Sequence, residues 1–140
     1  MATEENRILL VDDDHSLLRL LSMRLSAAGY SVKAVESGEQ ALLQLPLFNP
    51  HLIITDLQMA GMDGMTLFNQ VHARDPLLPV LVLTAHGTIP GAVEAIRSGV
   101  FSYLTKPFDS KILLEHIARA MKLSEQCPST APPVLQLWQK

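Results

Sequence analysis

The sequence contains little that would indicate secretion, membrane insertion or binding to nucleic acid. Its 140 residues include one cysteine, Cys127, so no disulfide can form within the chain, which is typical of a reducing cytosol. No apolar run approaches the roughly 20 residues of a membrane span. Residues 1–6 lack the basic start and the apolar stretch of a secretory signal. The net charge of −3 provides no basic surface. We therefore expect a cytoplasmic protein that binds neither membranes nor nucleic acid directly.

The chain does contain enough apolar sequence for one domain. Hydrophobic residues make up 48% of it and charged residues 18%, at a length that is ordinary for a single domain. Short runs rich in valine, isoleucine or leucine are typical of parallel strands that are buried on both faces. Five such runs recur along the chain, at Ile8–Val11, Ser31–Val35, Leu52–Thr55, Val80–Thr84 and Ser102–Leu104.

Segments with apolar residues three and four positions apart lie between and after these runs. They predict helices at Ser16–Ala28, Gly38–Leu45, Met65–Arg74, Ile89–Ser98 and Asp109–Leu123. Pro46 is expected to end the second helix, Thr88 to cap the fourth, Gly99 to follow it, and Asp109 to cap the fifth. The fifth helix is predicted to have a broad apolar face, supplied by Ile112, Leu113, Leu114, Ile117, Ala120 and Met121. Regular alternation of strand and helix predicts an α/β fold with a parallel sheet between two layers of helices.

The composition changes near residue 124. We predict one domain over residues 6–123, followed at 124–140 by a proline-containing linker or the start of a further domain. Three prolines and Trp138 lie in this final segment, which favours a fragment of a longer protein over a stand-alone one.

Chemically active residues follow four of the five predicted strands. The first strand is followed by Asp12, Asp13 and Asp14, and the third by Asp56. The fourth strand ends in Thr84, and the fifth is followed by Lys106. Parallel sheets carry their sites at the carboxyl ends of the strands, and clustered carboxylates are costly unless a cation such as Mg²⁺ joins them. Taken alone, the three consecutive aspartates are equally consistent with a turn that caps the following helix, and Asp14 is best placed for that.

These residues resemble the receiver domains of two-component response regulators from about Asn6 to Met121. The resemblance rests on four motifs, namely Ile8-Leu9-Leu10-Val11-Asp12-Asp13, Leu52 to Met59 with Met62-Asp63-Gly64, Val82-Leu83-Thr84-Ala85, and Tyr103-Leu104-Thr105-Lys106-Pro107-Phe108. It implies a doubly wound α/β fold of the CheY type, with five parallel strands in the order 2-1-3-4-5 and five helices.

The resemblance also assigns roles at the strand ends. It implies that Asp56 accepts a phosphoryl group from a sensor histidine kinase, so that the chain modifies itself rather than acting as an enzyme on other substrates. It implies a Mg²⁺ ion held by the side chains of Asp13 and Asp56 and the backbone carbonyl of Gln58, with Asp12 binding a metal-bound water.

Further residues are implied to compensate charge and to transmit the signal. Lys106 would neutralise the phosphoryl oxygens, and Thr84 would donate a hydrogen bond to one of them. Tyr103 would rotate inward when Thr84 moves, so these two residues would form the switch. The Lys106–Pro107 bond is expected to be cis.

Other positions are expected to tune the reaction. Gln58 and His86 would border the path of the hydrolytic water and so affect dephosphorylation. Ala60 stands where receivers commonly have proline, and with Gly61 it predicts a more mobile loop with binding intact.

Within the family, the stretch from Thr84 to Tyr103 is most similar to receivers of NtrC-type activators, which act on sigma-54 RNA polymerase. This similarity implies a transcription-regulating output domain outside the chain. It also implies a possible homodimer through the fourth helix, fifth strand and fifth helix.

Two alternatives remain. Asp12 and Asp14 loosely fit the nucleophile motif of haloacid dehalogenase phosphatases, but the late acidic pair of that family is missing. A degenerate receiver that binds partners without phosphorylation would usually lack an acidic residue or the lysine, and all of these are present here.

Overall fold

The computed structural model describes residues 6–59, 61–85, 88–106 and 109–126, with side chains up to residue 122. The strands are β1 (Arg7–Val11), β2 (Ser31–Val35), β3 (Leu52–Thr55), β4 (Val80–Thr84) and β5 (Ser102–Thr105). The helices are α1 (His15–Ala27), α2 (Gly38–Phe48), α3 (Gly64–Arg74), α4 (Ile89–Ser98) and α5 (Ser110–Gln126).

All strand pairs are parallel, and the strand order is β2-β1-β3-β4-β5. Val11 at the end of β1 pairs with Thr55 at the end of β3, and Thr55 pairs with Val82 of β4. The residues that follow β1, β3, β4 and β5 therefore lie along one edge of the sheet. The predicted fold and strand order are confirmed.

Two apolar cores cover the two faces of the sheet. Helices α1 and α5 pack on one face, with Leu21 and Ile117 buried there, and helices α2, α3 and α4 pack on the other, with Phe68 and Ala95 buried there. Because β1, β3 and β4 are buried along nearly their whole length, they hold the strand ends in fixed positions.

Local signals place several helix ends correctly. The Thr88 hydroxyl accepts a hydrogen bond from the Gly91 N–H at 3.0 Å, and Gly99 follows α4 in the left-handed region with φ of 117°. The Asp14 carboxylate accepts bonds from the N–H groups of Ser16 and Leu17. Asp14 thus caps α1, while the two preceding aspartates remain at the strand end.

Two predictions about the helices are wrong. Helix α2 continues through Pro46 to Phe48, so it tolerates the missing N–H of this proline two residues before its end. Asn49, with φ of 55°, ends the helix instead. In α5, Ile112 is 45% exposed, whereas the adjacent Leu113 is 2% exposed. The apolar face is narrower than the sequence pattern predicts.

None of the described helices combines the length and the hydropathy that crossing a lipid bilayer requires.

Candidate functional site

Three carboxylates meet where β1 and β3 end. Oxygen atoms of Asp12, Asp13 and Asp56 all lie within 4.8 Å of one another. Asp12 is 5% exposed and Asp56 is 7% exposed, while Asp13 is exposed. The Asp56 N–H donates to the Val11 carbonyl oxygen at 3.1 Å, which extends the β1–β3 pairing to the first residue beyond the strand. The sheet itself therefore brings the acidic groups together.

Lys106 brings one positive charge to this cluster from beyond β5. Its Nζ lies 3.0 Å from Oδ2 of Asp12 and 3.3 Å from Oδ2 of Asp56. Its backbone N–H donates to the carbonyl oxygen of Thr84 at 2.8 Å, which holds the residue beside the end of β4. Three carboxylates and one ammonium have a formal sum of −2 when all are ionised. That excess equals the charge of one divalent cation.

Burial shifts the pKa values of the acidic and basic members of the cluster in opposite directions. Burial raises the pKa of Asp12, and the hydrogen bond from the Asp14 N–H and the Lys106 ammonium only partly oppose this. Burial by itself would lower the pKa of Lys106, but the bonds and charges of Asp12 and Asp56 outweigh it, so that the net pKa is raised. Lys106 is therefore charged at neutral pH, and the site favours a further cation.

The two oxygens of Asp56 have different surroundings. Oδ1 accepts a hydrogen bond from the Leu57 N–H at 2.6 Å and a longer one from the Gln58 N–H at 3.4 Å. Oδ2 faces the Lys106 ammonium instead. Backbone donors thus orient the carboxylate so that its second oxygen is directed towards the positive charge.

The two predicted switch residues lie on neighbouring strands. Thr84 ends β4 and is fully buried, between the strand that leads to Asp56 and the strand that leads to Lys106. Tyr103 pairs with Val82 in the sheet and is half-buried against the core under α3 and α4. Its hydroxyl lies 3.4 Å from the position that a Cβ on Gly91 would occupy. Tyr103 therefore reaches the first turn of α4.

The structure places Asp12, Asp13, Asp56 and Lys106 together, as the sequence predicts. Gln58 is exposed and adjoins Asp56. Three predictions fall on positions outside the described residues, namely the role of His86, the cis bond before Pro107 and the mobile loop at Ala60.

The sequence patterns do not predict one contact of the site, which Gly64 makes with Leu57 and Asp56. The Gly64 N–H donates to the Leu57 carbonyl oxygen at 2.8 Å, and the Gly64 backbone lies directly against that of Asp56. The available signal was Gly64 itself, a glycine that lies eight residues beyond Asp56 and immediately follows the helix-capping Asp63.

Comparison with known proteins supports one family. The family model "Response regulator receiver domain" matches residues 8–118. The chain is 47% identical over 130 residues to the transcriptional regulatory protein GlrR of Escherichia coli, which covers 93% of this chain and 29% of GlrR. It is 39% identical over 125 residues to the DNA-binding transcriptional regulator NtrC of Klebsiella pneumoniae, covering 88% and 27% of the two chains. The chain thus spans less than a third of the length of these relatives.

Solved structures agree with these matches. NtrX from Brucella abortus has a TM-score of 0.82 at 30% identity, covering 88% of this chain and 28% of that one. The chemotaxis protein CheY4 of Vibrio cholerae has a TM-score of 0.78 at 28% identity, covering 84% and 99%. The family is one of signalling domains, which take phosphoryl groups from histidine kinases, rather than of classical enzymes. The chain belongs to the response regulator receiver domains and is related to the receivers of NtrC-type regulators.

Proposed function

We propose that this chain accepts a phosphoryl group from a sensor histidine kinase onto Asp56, in a reaction that requires Mg²⁺. The observation that carries the proposal is the convergence of Asp12, Asp13 and Asp56 within 4.8 Å, with the Lys106 ammonium 3.3 Å from the Asp56 carboxylate. Family membership supplies the class of donor.

The donor set fits Mg²⁺ by its chemistry. Hard divalent cations prefer oxygen ligands, and the cluster offers three carboxylates whose excess negative charge one such ion would neutralise. Asp13, Asp56 and the backbone carbonyl of Gln58 would hold the ion, and Asp12 would bind it through water. The ion would supply charge compensation for the transferring phosphoryl group.

The residues of the chain have separate tasks in the transfer. Oδ2 of Asp56 forms the new bond to phosphorus while the bond from phosphorus to the imidazole nitrogen of the kinase breaks, and the departing histidine takes a proton from solvent. The Lys106 ammonium compensates charge on the equatorial oxygens, and the Thr84 hydroxyl donates to one of them. Backbone donors on Oδ1 keep Oδ2 directed towards the reacting phosphorus.

Chemical phosphorylation tests this assignment without the kinase. Acetyl phosphate with Mg²⁺ is expected to add one phosphoryl group to the wild-type chain, seen by intact mass. Asp56→Asn is expected to remain unlabelled. Asp63→Asn is the matched control, because Asp63 lies on the same loop but caps α3, and it is expected to label as the wild type does.

Peptide mapping after borohydride trapping distinguishes the phosphatase alternative. A receiver reacts at Asp56, whereas a phosphatase of the haloacid dehalogenase type would react at Asp12. Equal labelling of Asp56→Asn and wild type, or modification mapped to Asp12, would contradict the proposal. Absence of labelling in the wild type would favour a degenerate, phosphorylation-independent receiver.

Signal output is proposed to pass through the face formed by α4, β5 and α5. Movement of Thr84 and rotation of Tyr103 would shift the population between two packings of this face. The face carries exposed apolar side chains at a helical spacing on α4, and Ile89 is 81% exposed. We propose that this face forms a homodimer and controls a transcription-activating, sigma-54-dependent output domain beyond a receiver at 6–123 and a linker at 124–140.

The lifetime of the phosphoryl group is proposed to depend on Gln58 and His86. Gln58 is exposed, and its backbone N–H lies 3.4 Å from Oδ1 of Asp56, so the residue adjoins the carboxylate on the side open to solvent. Substitution of either residue is expected to change the rate of hydrolysis more than the rate of labelling.

A further inference from the structure

Gly64, the first residue of α3, lies directly against the backbone of Asp56. A Cβ built at this position would overlap the Asp56 carbonyl oxygen and would lie 2.8 Å from Cα of Leu57. These neighbours are backbone atoms, which cannot turn aside as the end of a flexible side chain can. Helix α3 can therefore begin in this position only with a residue that has no side chain.

Two hydrogen bonds connect Gly64 to the Asp56 carboxylate, and both involve the peptide unit between Leu57 and Gln58. The Gly64 N–H donates to the Leu57 carbonyl oxygen at 2.8 Å, and the N–H of the same peptide unit, which belongs to Gln58, points to Oδ1 of Asp56 at 3.4 Å. The Leu57 N–H donates to that oxygen at 2.6 Å. The orientation of the 57–58 peptide thus determines how Oδ1 is held.

Asp56 has no freedom to retreat from this contact. Its carbonyl oxygen accepts a hydrogen bond from the Thr55 hydroxyl at 2.9 Å, and its N–H donates to the Val11 carbonyl oxygen. Both partners are buried. A side chain at residue 64 would consequently displace the start of α3 or the 57–58 peptide rather than the strand.

We propose that Gly64 is a positioning residue for the reaction at Asp56. Because it lacks a side chain, it allows the start of α3 to hold the 57–58 peptide, which ties Oδ1 to backbone donors and leaves Oδ2 facing Lys106. Gly64 touches no reactant and acts only through this peptide. The inference rests on the proposed function of Asp56.

Gly38 offers a matched control for a test by substitution. It is also a buried glycine at the first position of a helix, preceded by a capping residue, Ser37. A Cβ on Gly38 would lie 2.8 Å from Sδ of Met62 and 3.1 Å from its Cβ and Cγ, so its nearest neighbours belong to a side chain and not to the backbone. Gly38→Ala therefore adds a methyl group against a side chain, which can move. Gly64→Ala adds the same group against backbone atoms, which cannot turn aside.

The experiment measures the Mg²⁺ affinity and the backbone amide resonances of the wild type, Gly64→Ala and Gly38→Ala. Each protein is used as the full chain, at a temperature where it is folded. Gly64→Ala is expected to raise the dissociation constant for Mg²⁺ about tenfold, as changes behind metal ligands commonly do. It is also expected to shift the amide resonances of Leu57 and Gln58. Gly38→Ala is expected to leave both unchanged.

Two results would overturn the inference. One is a Gly64→Ala variant with wild-type Mg²⁺ affinity and unshifted Leu57 and Gln58 resonances. The other is a Gly38→Ala variant that weakens Mg²⁺ binding equally, since this would indicate general loosening of the fold.

A measurement on the wild type keeps the inference testable if Gly64→Ala does not fold. Titration with Mg²⁺ is expected to shift the amides of Leu57, Gln58 and Gly64 together, and a Gly64 amide that stays constant while Leu57 moves would count against the connection. Failure of the proposed function would look different, because Asp56→Asn would then accept the phosphoryl group.

Discussion

Nζ of Lys106 lies 3.0 Å from Oδ2 of Asp12, although 94 positions separate the two residues in the sequence. Each follows a different strand, β5 and β1, and those strands are not neighbours in the sheet. The side chain of Lys106 must therefore extend across the ends of β4 and β3 to reach Asp12. This arrangement makes the lysine a shared counterion for both buried carboxylates.

Replacement of this counterion should separate metal binding from phosphorylation. Lys106→Met is expected to slow labelling by acetyl phosphate about a hundredfold, because one donor to the developing negative charge is lost. It is expected to tighten Mg²⁺ binding, because the cluster loses a positive charge. Calorimetric titration and labelling rates measure the two effects. Lys111→Met, at an exposed position on α5, is the control and should change neither. Unchanged labelling of Lys106→Met would contradict the assigned role.

Capping of α3 by Asp63 predicts a pH dependence of stability. Hydrogen bonds from the backbone N–H and the hydroxyl of Thr66 lower the pKa of Asp63 below its ordinary value of 3.8. The ionised Asp63 carboxylate therefore stabilises the folded protein above pH 3.8. This contribution is lost as the pH falls through the pKa that Asp63 has in the folded protein. Asp63→Ala should therefore reduce the free energy of unfolding by about 1 kcal/mol at pH 7.

The loss of unfolding free energy caused by Asp63→Ala should become smaller at acidic pH. Urea unfolding at a series of pH values provides the measurement. A loss that stays constant down to the lowest pH would mean that the carboxylate charge is not involved.

Truncation of two adjacent residues of α5 should change the free energy of unfolding by very different amounts. Leu113 is 2% exposed in the core beneath α1 and α5, so Leu113→Ala should cost about 2–5 kcal/mol of unfolding free energy. Ile112 is 45% exposed, and Ile112→Ala should change stability by less than about 1 kcal/mol. Denaturant unfolding of both variants provides the measurement. Equal losses would show that α5 is rotated relative to the sheet.

Phosphorylation-dependent association should depend on α4 and not on α2. Val93 is 51% exposed on α4, within the face proposed for the homodimer, and Leu43 is 70% exposed on α2. Val93→Glu is expected to abolish the dimer that beryllofluoride with Mg²⁺ induces in sedimentation velocity experiments, because it places a charge in an apolar contact. Leu43→Glu should still dimerise. A wild-type chain that stays monomeric with beryllofluoride would contradict the dimer.

Local sequence determined the secondary structure and the chemistry of this protein. Short apolar runs specify the strands to within one residue, and Thr88 and Gly99 bound α4 because capping and left-handed backbone are properties of single residues. The motifs containing Asp12, Asp56 and Lys106 likewise indicate the carboxylates and the ammonium that the structure brings together.

Tertiary structure decided what no local pattern contains. Whether Ile112 or Leu113 is buried depends on how α5 packs against the sheet and α1. The contact between Oδ2 of Asp56 and Lys106 depends on the order of the strands, and the closeness of Gly64 to Asp56 depends on how the loop before α3 closes. Such contacts arise between segments separated along the chain, so their geometry is set only when the sheet and its helices pack together.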